Sequence, residues 1–327
     1  MGSQAMLYPL TFHPIFKERI WGGRNLQRLY HKPLPPNVPI GESWEISDRP
    51  GDVSVVAEGP LAGRNLHSLV TWHQRELLGA APTANGRFPL LIKILDAQQA
   101  LSLQVHPPAA KVAVVGGEPK TEMWYVAEAE PKAVLYAGFK RGTTRGDFER
   151  SLENGSAANF IHRLKVRQGD AIFLPSGRVH ALGAGLVIFE IQQNSDTTFR
   201  VFDWNRVGLD GKPRDLHIQQ SLACIDFQDF EPALLKGEFT GDPPLKLRQL
   251  VRDTLFSAEV CEAEAGALMS LPPERLQIIA LLAGEANVVH PQHTAKLTPG
   301  QFCLVPACVA GAAVMPGKAC RWLRIEA

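Results

Sequence analysis

Four polar side chains combine the residue types that proteins use to bind a metal ion. They are two imidazoles, one carboxylate and one amide, contributed by His106, His180, Glu122 and Gln104. Such a mixed nitrogen and oxygen set suits Zn²⁺, and by ligand softness alone it also suits Fe²⁺, Mn²⁺ or Co²⁺. Each pairwise spacing is common in proteins, so the prediction of a metal site depends on the elements that would bring the four together.

Residues 169–180 contain the turn that would present one of the imidazoles. The apolar run at 171–174 predicts a short buried strand, Pro175 and Gly177 turn the chain, and His180 begins the next apolar run. The imidazole would then point into the space between two sheets. The simpler alternative is a β-hairpin whose histidine only caps a strand.

Residues 101–106 would hold two more candidate ligands on one strand. Apolar and polar side chains alternate there, so Ser102, Gln104 and His106 share one face. Polar groups in such a row either form a solvated edge or line a site. Because this histidine and His180 both lie beside proline-containing turns, the lining of a site is favoured.

Charged side chains interrupt three other predicted strands. Lys93 lies in an otherwise apolar segment, where it needs an anionic partner or an opening to water. Lys120 and Glu122 share one face of the strand predicted at 120–126. Arg200 lies within the strand predicted at 197–204, which is rich in β-branched and aromatic residues. Simple ion pairs would explain these cationic side chains, and so would a shared site.

The predicted elements are short and separated by turns, as expected of a β-rich chain with 28 glycines and 25 prolines spread along its length. Strands are expected at 41–47 (half-buried), 53–56, 88–95, 101–106, 120–126, 133–136, 160–166, 171–174, 186–192, 197–204, 256–260, 276–283, 286–289 and 302–305. Helices are expected at 66–78, at 144–154 with Thr144 as the cap, and at 216–224.

Composition argues against several classes of function. The chain has 327 residues, 45% hydrophobic content and a net charge of +1, so no strong field would attract nucleic acid or a membrane surface. No apolar run approaches the roughly 18 residues of a membrane span, and no signal-peptide pattern begins the sequence. Residues 1–5 are consistent with a remnant of expression. The five cysteines form no C-x-x-C pair, and we expect reduced thiols in a cytoplasmic protein.

Length and a weak internal repeat predict two domains. Residues 299–307 resemble residues 168–176, but no histidine follows at the position equivalent to His180. A segment of mixed proline, glycine and charge separates the two copies. The predicted domains are 6–237 and 238–327.

The pattern Gly-x5-Pro-x-Gly-x2-His at 169–180 resembles the second motif of cupins. The blocks at 101–107, 120–126 and 190–200 are together similar to type I mannose-6-phosphate isomerases, above all to the shorter bacterial form, and they occur in the order of that family. A generic cupin usually has His-x-His, whereas this chain has Gln-x-His followed by Lys-x-Glu. The resemblance extends over residues 7–237 and more thinly to the C-terminus.

This resemblance implies a mainly β fold. The expected architecture is a cupin-type jelly-roll β-barrel or sandwich with a few short helices, followed at 238–327 by a degenerate cupin-like β domain without a metal site. In place of the large helical insertion of the long eukaryotic forms, the catalytic domain has only small insertions at 107–119 and 144–160. Any role of the large insertion at the pocket rim is therefore in doubt for this chain.

The resemblance also implies roles for individual residues. One Zn²⁺ per chain would be bound by His106, Glu122 and His180, with Gln104 as the fourth ligand. Arg200 stands where the family has its essential active-site arginine. The residues that match substrate-pocket positions of the family are Lys93, Ser102 and Lys120.

The implied reaction interconverts mannose 6-phosphate and fructose 6-phosphate through a cis-enediol. A hexose 6-phosphate is the expected partner, with no nucleic acid, membrane or obligate protein partner. Glu190, on a polar strand face beside the site, is our hypothesis for an acid/base or orienting group. Two other classes stay open: a cupin enzyme of another metal chemistry, such as an oxygenase, which leaves Lys93 and Arg200 unexplained, and a non-catalytic sugar-binding cupin.

Overall fold

The computed structural model describes residues 6–204, 206–207 and 211–327, and the interpretation of residues 1–5 lies outside them. Within the described residues the regular secondary structure is mainly short antiparallel strands, as predicted. The strands are β1 (Ile15–Gly23), β2 (Ile40–Ile46), β3 (Asp48–Arg49), β4 (Asp52–Val53), β5 (Leu90–Ala97), β6 (Leu103–Val105), β7 (Glu122–Ala129), β8 (Val134–Phe139), β9 (Ile161–Lys165), β10 (Ala171–Leu174), β11 (His180–Leu182), β12 (Leu186–Gln193), β13 (Phe199–Phe202), β14 (Leu245–Arg252), β15 (Ser257–Ala263), β16 (Met269–Ser270), β17 (Gln277–Ala283), β18 (Ala286–His290), β19 (His293–Leu297), β20 (Phe302–Val305), β21 (Ala313–Pro316) and β22 (Cys320–Glu326).

The helices are few and short. They are α1 (Asn25–Tyr30), α2 (Leu66–Trp72), α3 (Gln74–Leu78), α4 (Val112–Val115), α5 (Arg145–Glu153) and α6 (Ile218–Cys224), with 3₁₀ turns at Ala109–Lys111 and Ala157–Phe160. The predicted cap of α5 is confirmed: the Thr144 hydroxyl accepts a hydrogen bond from the backbone N–H of Asp147, whose carboxylate accepts one in return. Among the described residues, every helix is too short or too polar to cross a lipid bilayer.

Two antiparallel sheets form the sandwich that contains the predicted site. The first has the strand order β1-β2-β5-β12-β7-β10, and the second has the order β13-β6-β11-β8-β9. From β5 onward the chain crosses between the sheets at nearly every connection, which is the jelly-roll pattern. Apolar side chains from both sheets fill the space between them, among them Trp124 and Ile188 from the first and Leu135 and Leu182 from the second. This buried layer holds the two sheets face to face.

Strand register brings the polar side chains together. Glu190 on β12 lies opposite Lys93 on β5 and opposite Trp124 on β7. Gln104 on β6 lies opposite both His180 on β11 and Arg200 on β13. Because side chains alternate between the faces of a strand, a slip of one residue would turn these groups away from one another.

The C-terminal part of the chain builds two further sheets, with the orders β14-β15-β22-β17-β20 and β16-β21-β18-β19. The repeated segments form β10 and β20, and each is the last strand of its sheet. Phe302 of β20 stacks on Phe189 of β12 with ring centroids 5.4 Å apart, and one apolar cluster includes residues from both parts of the chain. The C-terminal sheets therefore pack against the outer face of the first sheet. The predicted domain boundary at residue 238 stays a prediction.

One helix prediction was wrong in its continuity. The segment 66–78 forms α2 and α3 instead of a single helix, because His73 has φ −133° and ψ 35°, outside helical geometry. The buried side chains of the two helices still include the predicted apolar residues Leu66, Leu69 and Leu77. The periodicity therefore identified the buried face but not the break.

The strand at 41–47 was predicted to be half-buried, and this was wrong, since every residue of β2 is buried. On one face Glu45 forms an ion pair with Lys32 at 2.7 Å. On the other face Glu42 lines a cleft and contacts Lys93. Charged partners inside the protein thus replace the water that a polar strand face usually contacts.

Candidate active site

Three buried side chains converge between the two sheets. Glu122 begins β7, His180 begins β11, and His106 follows the last residue of β6. His180 Nε2 lies 3.1 Å from Glu122 Oε1, and His106 Nε2 lies 3.5 Å from Glu122 Oε2. One ligand atom from each residue lies within 4.8 Å of the others, and this is the group of metal-binding side chains found among the described residues.

Backbone carbonyl groups orient both imidazoles. His106 Nδ1 lies 2.8 Å from the carbonyl oxygen of Thr197, and His180 Nδ1 lies 2.9 Å from that of Arg178. A carbonyl oxygen can only accept, so each Nδ1 carries the proton and donates it. Each Nε2 therefore presents a lone pair toward Glu122, which is the arrangement of histidines that bind metals.

The ligand atoms of this cluster lack well-directed hydrogen bonds. His106 Nε2 and both carboxylate oxygens of Glu122 are buried without a hydrogen bond of good geometry, although Glu122 Oε2 forms an ion pair of 2.9 Å with Lys120 Nζ. A buried polar atom in this condition costs roughly 1–3 kcal/mol, and more when it is charged. A cation placed between these groups would accept the two imidazole lone pairs and balance the charge of the carboxylate. The donor set therefore fits a bound metal ion.

The protonation states of the cluster also suit a cation. Burial, followed by the nearby Lys120 ammonium, lowers the pKa of His106 to about 3, so its imidazole is neutral. Burial disfavours the Glu122 carboxylate, but Lys120 and His106 more than offset this and hold the pKa of Glu122 well below its usual range. Neutral imidazole and ionised carboxylate are the forms that bind metals.

The fourth predicted ligand lies next to the cluster. Gln104 Nε2 is 3.3 Å from His180 Nε2. The nitrogen and oxygen of a glutamine amide are placed by the hydrogen-bond network, and a half-turn of the amide would direct the oxygen to this point instead. Gln104 is therefore close enough to act as a ligand through its oxygen.

A cleft of about 590 Å³ opens beside the cluster, between the two sheets. Among the residues that line it are Lys93, Ser102, Gln104, Lys120, Glu190 and Arg200. The structure thus brings every predicted substrate and catalytic residue to one cavity. A larger cavity of about 840 Å³ is lined by residues 80–82 and by residues of the C-terminal part of the chain, and none of the predicted site residues lines it.

A row of alternating charges forms one wall of the cleft. Lys93 Nζ lies 3.3 Å from Glu190 Oε2 and 3.6 Å from Glu42 Oε2. Trp124 Nε1 donates a hydrogen bond of 2.8 Å to Glu190 Oε1, which fixes that carboxylate from the other side. Arg19 lines the same wall and binds Glu42.

Arginines gather at the opposite wall. Arg200 Nη1 donates to the carbonyl oxygen of Asp215 at 2.7 Å, while its Nε is buried without a partner. Arg214 lines the cleft and is held by Asp203 through two hydrogen bonds of 2.7 and 2.5 Å. Burial, followed by the charge of Arg214, lowers the pKa of Arg200. This wall presents donors suited to an anionic ligand.

Five charged lining residues were missed by the sequence predictions: Glu18, Arg19, Glu42, Asp196 and Arg214. Asp196 lies in the motif block at 190–200 and could have been found there. The others come from strands and loops outside any motif. The paired histidines of the C-terminal hairpin, His290 and His293, lie opposite each other across β18 and β19 and form no group of three metal-binding side chains among the described residues.

A jelly-roll sandwich with a buried His–Glu–His cluster at the edge of a polar cleft defines a cupin with a candidate metal site. The family model described as "Phosphomannose isomerase type I, catalytic domain" matches residues 10–121. The mannose-6-phosphate isomerase ManA of Bacillus subtilis is 35% identical over 302 residues, which cover 91% of this chain and 93% of the relative. The mannose-6-phosphate isomerase of Streptococcus mutans is 33% identical over 302 residues, which cover 92% and 93%.

Solved structures agree with these relatives. The crystal structure of the mannose 6-phosphate isomerase from Bacillus subtilis superimposes with a TM-score of 0.88 at 28% identity, covering 98% of this chain and all of that one. The chain belongs to the type I mannose-6-phosphate isomerase family.

Proposed function

We propose that the chain is a zinc-dependent isomerase that interconverts mannose 6-phosphate and fructose 6-phosphate. The observation that carries the proposal is that the buried His106, Glu122 and His180 cluster adjoins a cleft lined by lysines and arginines, because the lining residues Lys120 and Gln104 contact Glu122 and His180. A sugar phosphate needs both parts, since its phosphate is anionic and its aldehyde and ketone forms interconvert through a charged intermediate. Relatives of similar length bear the name of this activity.

The proposed metal is one Zn²⁺, bound by His106, Glu122 and His180, with Gln104 as the fourth ligand. The lone pairs at both Nε2 atoms and the buried, ionised carboxylate of Glu122 support this assignment. When bound, the ion supplies a Lewis acid that stabilises negative charge on the sugar oxygens at C1 and C2.

The proton transfer needs a base that reaches both carbons. We assign this role to Glu190: its carboxylate takes the proton from C2 of the open-chain aldose to leave an enediolate, a proton passes from the C2 hydroxyl to O1, and the carboxyl group of Glu190 returns its proton to C1 to give the ketose. Trp124 and Lys93 hold the two oxygens of Glu190 in place at 2.8 and 3.3 Å. A carboxylate fixed in this way can move one proton between adjacent carbons without a change of rotamer.

The remaining lining residues bind and orient the substrate. Ser102 and Lys120 both line the cleft, where they would donate hydrogen bonds to sugar oxygens, and Lys120 also contacts Glu122 of the cluster. Arg200 has a buried Nε in need of an acceptor, and its fixed charge stabilises the phosphate or the enediolate.

The wider assignments follow from the same family. We place the catalytic domain at 6–237 and a metal-free, cupin-like β domain at 238–327. Zn²⁺ and a hexose 6-phosphate are the proposed partners, without an obligate protein partner. The proposed location is the cytoplasm, where sugar phosphates are found and thiols stay reduced.

A coupled assay of mannose 6-phosphate to fructose 6-phosphate, with and without a chelator, tests this function. We expect turnover that is lost on chelation and restored by Zn²⁺. The variant His106→Gln should lose both zinc and turnover, whereas His290→Gln, on the C-terminal hairpin, should keep both. Sugar binding without turnover, or iron-dependent oxygen consumption, would refute the proposal in favour of a binding protein or an oxygenase.

A further inference from the structure

We propose that Glu42 is a positioning residue for the isomerase reaction, acting through the ammonium group of Lys93. The inference rests on the proposed function, because it assigns Glu42 a part in that reaction. Glu42 lies on β2, outside every motif discussed above, and lines the cleft next to Lys93.

Glu42 is one member of a charge row that crosses four neighbouring strands. Arg19 on β1, Glu42 on β2, Lys93 on β5 and Glu190 on β12 follow one another in the order of the first sheet. The successive contacts are 2.6 Å from Arg19 Nε to Glu42 Oε1, 3.6 Å from Glu42 Oε2 to Lys93 Nζ, and 3.3 Å from Lys93 Nζ to Glu190 Oε2. Signs alternate along the row, so each charge is stabilised by its neighbours.

The Glu42 carboxylate is itself held firmly. Trp44 Nε1 donates a hydrogen bond of 2.6 Å to Oε2, and Arg19 holds Oε1. Burial opposes ionisation, but the charges of Lys93 and Arg19 and the hydrogen bonds outweigh it and lower the pKa of Glu42 to about 2. A fixed, permanent anion therefore stands beside Lys93.

The two distances at Lys93 indicate what this anion does. A tight pair between an ammonium and a carboxylate has an N···O distance of roughly 2.7–2.9 Å, whereas Lys93 stays 3.3 Å from Glu190 and 3.6 Å from Glu42. The ammonium is thus shared between two carboxylates and closes on neither. Without Glu42, Lys93 would be free to collapse onto Glu190, which would neutralise the proposed base and withdraw the ammonium from the substrate.

Trp44 adds a second restraint on the same ammonium. Lys93 Nζ lies 5.1 Å from the centre of the Trp44 ring, within the range of a cation–π contact. Glu42 and Trp44 occupy one face of β2 and together define where the end of Lys93 can lie. Positioning of this kind affects rate more than affinity, since a displacement of 1 Å at a reacting group can cost about 100-fold.

Two substitutions separate charge from shape at this position. Glu42→Gln keeps the size of the side chain and removes its charge, whereas Glu42→Asp keeps the charge on a shorter side chain. For Glu42→Gln we expect kcat for mannose 6-phosphate to fall by about 10- to 100-fold, with KM changed by less than about threefold. Glu42→Asp should recover at least about a tenth of the wild-type kcat. A purely structural role would give the reverse order, because glutamine is the closer isostere.

Strand β2 also provides a matched control. Glu45 lies three residues away on the opposite face, forms a buried ion pair with Lys32 at 2.7 Å, and does not line the cleft. Glu45→Gln should lower stability without lowering kcat, at a temperature where the variant is folded. Zinc content, measured for every variant, should stay at one ion per chain.

Crystal structures of the wild type and Glu42→Gln give a readout that does not depend on the reaction. We expect Lys93 Nζ to leave its shared position and approach Glu190 in the variant. An unmoved Lys93, a Glu42→Gln enzyme more active than Glu42→Asp, or a rise in KM with unchanged kcat would each overturn the proposal. Failure of the wild type to isomerise mannose 6-phosphate would instead refute the proposed function, and the position of Lys93 in the two crystal structures would still decide whether Glu42 positions it.

Discussion

Replacing Lys120 with methionine should weaken the metal-free protein and tighten its binding of zinc. Lys120 Nζ lies 2.9 Å from Glu122 Oε2, and both side chains are buried. Without a metal ion, this ammonium balances the carboxylate. With Zn²⁺ on Glu122, the ion supplies the positive charge, and the ammonium beside it is partly repelled.

The size of the effect follows from this contact. Removing one partner of a buried ion pair costs about 3–5 kcal/mol, because the other charge is left uncompensated. With the ion bound, the loss should fall to roughly 1 kcal/mol, the worth of a single hydrogen bond. The difference of about 2–4 kcal/mol must appear as zinc affinity, since the ion binds the folded protein, and it corresponds to about 30- to 1000-fold tighter binding.

The measurements are denaturant unfolding with chelator and with saturating zinc, and the zinc Kd by chelator competition. Lys32→Met is the matched control, because it breaks a buried lysine–glutamate pair of 2.7 Å on β2, away from the ligand cluster. We expect that control to destabilise both forms equally and to leave the zinc Kd unchanged. Weaker zinc binding in Lys120→Met, or equal destabilisation with and without zinc, would refute the reasoning.

Three further perturbations test separate parts of the structure. Arg200→Ala should retain zinc and lose at least about 100-fold in activity, as for one preorganised charge contact; near-normal turnover would remove Arg200 from the site. Because the pKa of Glu42 falls from its ordinary 4.5 to about 2 on folding, its stabilisation, about 3 kcal/mol, is present above pH 4.5 and is lost as the pH falls toward 2. Unfolding measured from pH 6 to 3 should therefore show a shallower loss of stability in Glu42→Gln than in the wild type, and equal slopes would contradict this. Phe302→Ala should cost about 3–5 kcal/mol in denaturant unfolding, because Phe302 is buried against Phe189; a loss under 1 kcal/mol would show that the two parts of the chain are held together elsewhere.

Gln104, His106 and His180 could be singled out as candidate ligands because each lies in or beside a segment with a strong local pattern. Alternation at 101–106 put Gln104 and His106 on one strand face, and the turn before His180 marked the start of another strand. Both features depend on backbone geometry over fewer than ten residues, so they can be recognised without tertiary contacts. Lys93 was recognised in the same way, as a charge in an apolar strand that needed a partner.

Glu42 shows where this reasoning stops. Its strand alternates between apolar and polar side chains, which normally indicates one face in water. In the folded chain both faces are buried, and each carries a glutamate paired with a lysine from outside the strand: Glu45 with Lys32 on one face and Glu42 with Lys93 of β5 on the other. Complementary charge from distant strands cannot be found from local periodicity. The same holds for Arg19 and Arg214, which reach the cleft only through strand order and the path of one loop.

The sequence by itself determined which residues could bind a metal ion, that they lie on or beside short strands, and that the chain is mainly β. Tertiary structure decided the rest: that His106, Glu122 and His180 lie within 4.8 Å of one another, and that Lys93 is shared between two carboxylates. Strand periodicity and turns depend on the residue types within a short segment, so they can be predicted locally. Sheet order and register bring together side chains separated by dozens of residues. In this protein, strand register places the candidate ligands next to one another and so forms the site.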